Sequence, residues 1–292
     1  MRKILLLWYR EEDNFGDSLL ADTSCEKLKK NGFDVEHHEI GDTYKNIVEH
    51  ANRCDFLLFA GGGIIERYVP EIINKFDRVA EQLNVKYGVI GLSIGDFNYD
   101  NYAESFRKWV DNASFFYSRD RYTAKILNAY AGKCIVKYSG DCVFGNQEIA
   151  HEGKSETERK AIGINIRDMP YEDLTGRLNV KHIREIYRKK DSTLIMDSSD
   201  ELLRIDASEE IRKRLEEYST KEKMGKVRQI ITEISHCKYI IAMRYHVILV
   251  ASVLGIPAIP IAYCPKVERL SEELGIREIM IYPEEMGLLH QR

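Results

Sequence analysis

Short, unbroken apolar runs alternate along this chain with segments whose apolar positions recur at helical spacing. A run of a few apolar residues bounded by turn residues reads as a buried strand, and a three-to-four-residue recurrence reads as an amphipathic helix. Ile4–Trp8 is the first such run. Asp17–Lys30 follows as a helix with Leu20, Ser24 and Leu28 on one face and a stop at Asn31-Gly32. Phe33–His37 predicts a strand, Thr43–Ala51 a short helix, and Phe56–Ala60 a buried strand that runs out into Gly61-Gly62-Gly63. The pattern continues with helix Pro70–Leu83, strand Tyr87–Leu92, helix Tyr102–Asp111, strand Ser114–Ser118, helix Asp120–Tyr130 and strand Cys134–Tyr138. Strands separated by helices of about ten residues imply βαβ units on a parallel sheet.

The polar stretch Gln147–Lys160 interrupts the rhythm and offers no core face, so it is the expected boundary. Beyond it, Ala161–Ile166, Thr193–Met196, Tyr239–Ala242 and Ala258–Tyr263 read as strands. Val180–Lys190, Ser208–Tyr218, Met224–His236, Tyr245–Leu254 and Lys266–Leu274 read as helices. The expected fold is α/β, two Rossmann-like domains facing a cleft in the GT-B manner, with residues 1–150 as one domain and 151–292 as the other.

Two apolar segments invite other readings and do not support them. Met1–Trp8 resembles a leader, but its apolar stretch is short and runs into Arg10, Glu11, Glu12 and Asp13. Val247–Cys264 has no charged side chain, yet Gly255, Pro257 and Pro260 divide it into a buried helix and a buried strand rather than a membrane span. A cytoplasmic location is expected, with no transmembrane segment.

Charge narrows the partners. The 292 residues carry 43 Lys plus Arg against 47 Asp plus Glu, a net charge of −4, with neither half strongly basic. A nucleic-acid binder normally shows a basic face, so that class is excluded. Cys25, Cys54, Cys134, Cys142, Cys237 and Cys264 form no C-x-x-C pair, and most lie in apolar runs; reduced, mostly buried thiols are expected, and no metal site.

In open α/β sheets ligands bind beyond the carboxyl ends of the strands. The residues just past the predicted strands are Asn14, Gly16 and Asp17; Gly61–Gly63; Ser93 to Asp96; Arg119-Asp120; Gly140-Asp141; Arg167-Asp168; Arg244 and His246; and Tyr263 with Lys266. The three glycines either let backbone N–H groups approach an anion or sugar, or simply form a tight turn. Asn14 and Asp17 suit a helix cap as well as a ligand. Arg119 and Asp120, taken by themselves, read first as a structural ion pair, with Asp120 starting the helix. Arg167 ends a strand at the rim, which is harder to explain as scaffold. Arg244 and His246 stand between a buried strand and an apolar helix, where charge is costly unless an anion compensates it; a core histidine is the alternative.

These residues, in this order, resemble the polysaccharide pyruvyl transferase family. The matching signatures are Asn14-Phe-Gly16-Asp17, Gly61–Gly63, Ser118-Arg119-Asp120, Gly140-Asp141-Cys-Val-Phe144, Met243-Arg244-Tyr245-His246, Ala251 through Gly255-Ile-Pro257, and Tyr263-Cys-Pro-Lys266. The resemblance implies transfer of a pyruvyl group from phosphoenolpyruvate to two hydroxyls of a sugar, closing a cyclic ketal on a surface or exopolysaccharide precursor. The partners would be phosphoenolpyruvate and a glycan or lipid-linked sugar, the latter compatible with peripheral membrane association; no cofactor is implied. Arg244 and His246 would handle phosphoenolpyruvate, with Arg167 as a second cation, and Arg119 is a further substrate-binding candidate. The N-terminal loops would face the acceptor.

The residue chemistry agrees with that implication. A phosphate and a carboxylate call for convergent cations. Histidine can deliver the proton that the enol methylene takes up, a role assigned to His246, and Asp17 or Asp141 would accept hydroxyl protons. A nucleotide-sugar glycosyltransferase is the alternative enzyme, with Glu209 and Glu217 as a paired-carboxylate candidate in a densely charged helix. A non-catalytic glycan binder is the third reading.

Overall fold

In a computed structural model the described residues are 1–9, 14–65, 70–152, 159, 161–165, 192–194 and 223–282. Contacts divide the chain into two units, residues 1–12 with 17–145, and residues 13–16 with 146–292.

The first unit is built on six parallel strands: β1 (Lys3–Trp8), β2 (Asp34–Glu39), β3 (Phe56–Ile65), β4 (Lys86–Ile94), β5 (Phe116–Ser118) and β6 (Val136–Tyr138). They lie in the order β2-β1-β3-β4-β5-β6. The helices α1 (Phe15–Lys30), α2 (Tyr44–Ala51), α3 (Ile72–Gln82), α4 (Ala103–Asp111) and α5 (Arg121–Tyr130) are the crossovers. The inner strands are apolar without alternation because both faces are covered. Leu5 and Leu7 of β1, Phe59 of β3 and Phe116 of β5 point into a large core with Phe76, Phe106 and Trp109. Ile4 and Leu6 point to the opposite face, with Cys25 and Leu28 of α1. Helix starts follow their side chains. Thr43 caps α2 through the Asn46 N–H, and Asp120 caps α5 through the Thr123 N–H at 2.7 Å.

The second unit carries four parallel strands in the order β10-β9-β7-β8: β7 (Ala161–Asn165), β8 (Ser192–Leu194), β9 (Cys237–Ala242) and β10 (Ala258–Pro260). Its helices include α6 (Gln147–Glu152), α7 (Lys223–Ser235), α8 (Tyr245–Val253) and α9 (Pro265–Glu273). Helix α8 is apolar on every side and buries Val247, Ile248, Leu249, Val250 and Ala251, which accounts for the charge-free run as core. Arg159 donates to the Leu254 and Gly255 carbonyls just past its end, placing a cation at the negative end of the helix. Among the described residues no helix is long and apolar enough to cross a membrane.

Two sequence expectations change. Gln147–Glu152, expected to lie in a coreless boundary stretch, is helix α6, and Ile149 within it is buried. Gly61, Gly62 and Gly63 do not follow the third strand but lie inside it; β3 continues to Ile65, pairing Gly62 with Leu92 and Gly63 with Ser93. Positive φ at Gly61 (59°) and Gly62 (88°), which side-chain-bearing residues avoid, bends the strand without ending it. The predicted helices Val180–Lys190 and Ser208–Tyr218 lie outside the described residues.

Candidate functional site

Where strand order reverses in an open parallel sheet, the connections on either side diverge and leave a crevice at the carboxyl ends. In the first unit that point falls between β1 and β3, and in the second between β7 and β9.

In the second unit, β9 ends at Ala242 and the chain turns through Met243 and Arg244 into α8. The turn is held by Asn165, the last residue of β7 and fully buried. Its backbone carbonyl accepts from the Met243 N–H at 3.0 Å, and its side-chain Oδ1 accepts from the Arg244 N–H at 3.1 Å. Arg244 is the N-cap residue, in extended conformation, but its side chain does not cap the helix, and it is 8% exposed. His246 is the second residue of α8, half-buried, with Nε2 buried and its ring 5.1 Å from that of Tyr245. A guanidinium, an imidazole and the positive end of a helix thus come from one turn. That combination suits an anion carrying phosphate or carboxylate.

The imidazole also has a specific neighbour. Residues 13–16 belong to the second unit, and a Cβ built on Gly16 would fall within the His246 ring, 2.5 Å from Cγ and 2.6 Å from Cε1. Only glycine allows this approach. Asn14 fixes the segment, its Oδ1 accepting from the Gly16 N–H at 3.0 Å in the manner of a helix cap. Asp17 is the next residue, half-buried in the first turn of α1, with its Oδ1 near Gly62 of β3. Tyr263 and Lys266, both half-buried, follow β10, which lies beside β9 with Pro260 opposite Ala242. Arg167 lies outside the described residues, as do Glu209 and Glu217.

Arg119 and Asp141, both placed at the rim by the sequence, turn inward in the first unit. Their side chains are 3% and 0% exposed, with Arg119 Nη1 3.9 Å from Asp141 Oδ2. Arg119 Nη2 donates to Ser93 Oγ, and Asp141 Oδ1 accepts from the Val143 N–H at 2.9 Å. Burial pushes the Asp141 carboxyl up, and Arg119 and the Val143 N–H pull it back only in part. This is a buried structural pair joining the ends of β4, β5 and β6, which leaves a substrate almost no surface to touch. Next to it Cys142 sits against Gly91, its thiol pushed up to about 12 by burial.

Asn165 is the residue that sequence reasoning passed over. Its signal was a polar side chain closing an otherwise apolar strand, which the pattern alone reads as a strand end. Among the described residues no group of three or more His, Cys, Asp or Glu is placed to hold a metal.

Comparison with known proteins follows these features. An uncharacterised protein of Klebsiella pneumoniae shares the fold with a TM-score of 0.58 at 15% identity, covering 96% of this chain and 92% of its own. The UDP-GlcNAc 2-epimerase of Methanocaldococcus jannaschii does so with a TM-score of 0.56 at 12% identity, covering 99% and 92%. At such identities the likeness concerns fold, two Rossmann-like α/β units, and not chemistry. No curated protein matches the chain. The profile of the polysaccharide pyruvyl transferases, by contrast, matches residues 14–265, from the cap of α1 to the start of α9 and through the Arg244–His246 turn, so this chain belongs to the polysaccharide pyruvyl transferase family and is a transferase.

Proposed function

We propose that the protein transfers the pyruvyl group of phosphoenolpyruvate to two hydroxyls of a sugar in a surface or exopolysaccharide precursor, releasing inorganic phosphate and forming a cyclic ketal. The observation that carries the reading is the β9–α8 turn, where Arg244 and His246 stand at a helix N-terminus held by Asn165 and against Gly16.

Phosphoenolpyruvate brings a phosphate and a carboxylate. Arg244, with the N–H end of α8, supplies the donors for one of them, and Arg167 is the further cation assigned to the other. His246 gives its proton to the methylene carbon, leaving positive charge at the carbon that bears the phosphate ester. A sugar hydroxyl attacks that carbon and loses its proton to a base. The ester C–O bond then breaks, phosphate leaves, and the second hydroxyl closes the ketal. Of the two hydroxyl protons, one ends on the phosphate and the other restores His246, so atoms and charge balance. Asp17 is the base in this reading, because Asp141 is enclosed by protein and paired with Arg119. No step calls for a cofactor or a metal.

The test is incubation of purified protein with phosphoenolpyruvate and a glycan panel. Phosphate release should accompany a product heavier by one pyruvyl ketal, and His246→Ala should abolish both while melting like the wild type. Stabilisation by a nucleoside diphosphate, without any by phosphoenolpyruvate, would favour a nucleotide-sugar transferase instead.

A further inference from the structure

A cavity of about 400 Å³ opens at the carboxyl ends of β1 and β2, lined by Trp8, His37, His38, Glu39 and Asp42. Its described lining residues all belong to the first unit, at the edge of its sheet, and none of them is assigned to phosphoenolpyruvate. We propose that it binds a neutral sugar residue of the acceptor glycan. The pyranose would lie against Trp8, with hydroxyls donating to the carboxylates of Glu39 and Asp42.

Three observations support this occupant. The first is chemical composition. An indole gives an apolar plate for the C–H face of a pyranose, while carboxylates and imidazoles meet its equatorial hydroxyls. The second is charge. The described lining residues include two carboxylates, Glu39 and Asp42, which repel a phosphorylated or carboxylated ligand and accept from a polyol. Asp42 is held below the usual carboxylate range, chiefly by the Thr43 N–H and further by Asn46 and His38, so it remains an acceptor.

The third is that the walls are braced before any ligand arrives. Trp8 packs on the cluster of Ile4 and Leu6, its ring 4.4 Å from that of His37, whose Nε2 is 3.1 Å from Cys25 Sγ. His38 is 2.8 Å from Asp42 Oδ2 and stacks on His50 at 4.5 Å. His50 in turn contacts Glu36 at 2.8 Å, and Glu36 pairs with Lys3 at 2.6 Å. A chain of five side chains thus fixes one wall, so little ordering entropy remains to oppose binding.

The inference rests on the glycan acceptor of the proposed function, but its test does not require turnover. The chain has two tryptophans, and Trp109 is fully buried in the core, so acrylamide quenching of tryptophan fluorescence reports Trp8. Methyl glycosides of neutral hexoses and of N-acetylhexosamines are titrated to about 100 mM, a weak-binding range for a single sugar. Saturable protection of Trp8 by one of them, lost in the Glu39→Gln/Asp42→Asn variant, is expected. Protection by none, or by choline or inorganic phosphate instead, overturns the proposal.

In the coupled assay, Trp8→Phe should raise the acceptor KM by about fivefold or more, the worth of a stacking contact, with the phosphoenolpyruvate KM unchanged. Trp8→Ala should raise it further. An unchanged acceptor KM in both also overturns it. Protection by sugar in a protein that never releases phosphate would instead refute the pyruvyl transfer and leave the cavity's assignment standing.

Discussion

Replacing Gly16 by alanine should separate catalysis from folding in this protein. The new Cβ would stand 2.5 Å from Cγ and 2.6 Å from Cε1 of His246, whereas carbon atoms in contact normally keep about 3.5–4.0 Å apart. Nδ1 would be closer still, so the imidazole has to retreat by roughly 1.5 Å. It can do so by turning away from its rotamer, at about 0.5–1.5 kcal/mol. Alanine in place of glycine within α1 returns about 0.5–1 kcal/mol of backbone entropy. The two nearly cancel, so net stability should change by no more than about 1 kcal/mol, a shift of roughly 2–4 °C in Tm for a chain of this size.

Catalysis has no such compensation. Misplacing a proton donor by about 1 Å costs on the order of a hundredfold, and losing a general acid costs about a hundred- to ten-thousandfold. Phosphate release from phosphoenolpyruvate in the presence of acceptor, measured beside a thermal melt, should thus fall about a hundredfold or more in Gly16→Ala with Tm nearly unmoved. Combining it with His246→Ala should give no further loss, since the ring is already gone. Wild-type kcat in Gly16→Ala, or a fall in Tm beyond about 10 °C, would refute the reasoning. The first outcome would mean that the imidazole's position is irrelevant. The second would mean that backbone, not the ring, gives way.

Removing one partner of the buried Arg119–Asp141 pair, as in Asp141→Ala, should cost about 3–5 kcal/mol by chemical denaturation, while Arg119→Met/Asp141→Leu should recover most of it; equal losses in both variants would contradict a structural pair. Asn165→Ala frees the Arg244 N–H of its buried acceptor, so phosphoenolpyruvate KM should rise while Asn165→Asp, which keeps an acceptor oxygen, retains more activity. Glu36 is held below the ordinary carboxylate range, first by Lys3 and then by His50, so its contribution is present above about pH 4 and is lost as pH falls through its folded value. Glu36→Gln should therefore lower Tm modestly at pH 7 and not at about pH 3, and equal differences at both pH values would contradict the network. Burial raises the Cys142 and Cys237 thiols to about 12, so iodoacetamide at pH 8 should leave both unlabelled in the native protein by peptide mass spectrometry.

Among the described residues, the alternation of apolar runs with helical spacing determined, by itself, the order of the strands and of every helix but α6. Segments such as Ile4–Leu7 and Leu57–Ala60 are hidden on both faces of a parallel sheet, which is why they are apolar without alternation. The family was legible too, since its signatures sit at fixed places just past strand ends. Local pattern says which backbone is hidden, but not where a long polar side chain turns.

Arg119 and Asp141 therefore read as rim residues until folding brought Ser93, Arg119 and Asp141 together from three strand ends and enclosed them. The glycines of β3 read as a turn because their positive φ angles ordinarily end a strand, whereas pairing with β4 carries this one through. The bearing of Gly16 on His246 could not be read at all. It is a steric relation between residues far apart in sequence, made by an absent Cβ, and only the tertiary structure decides which atoms occupy that space.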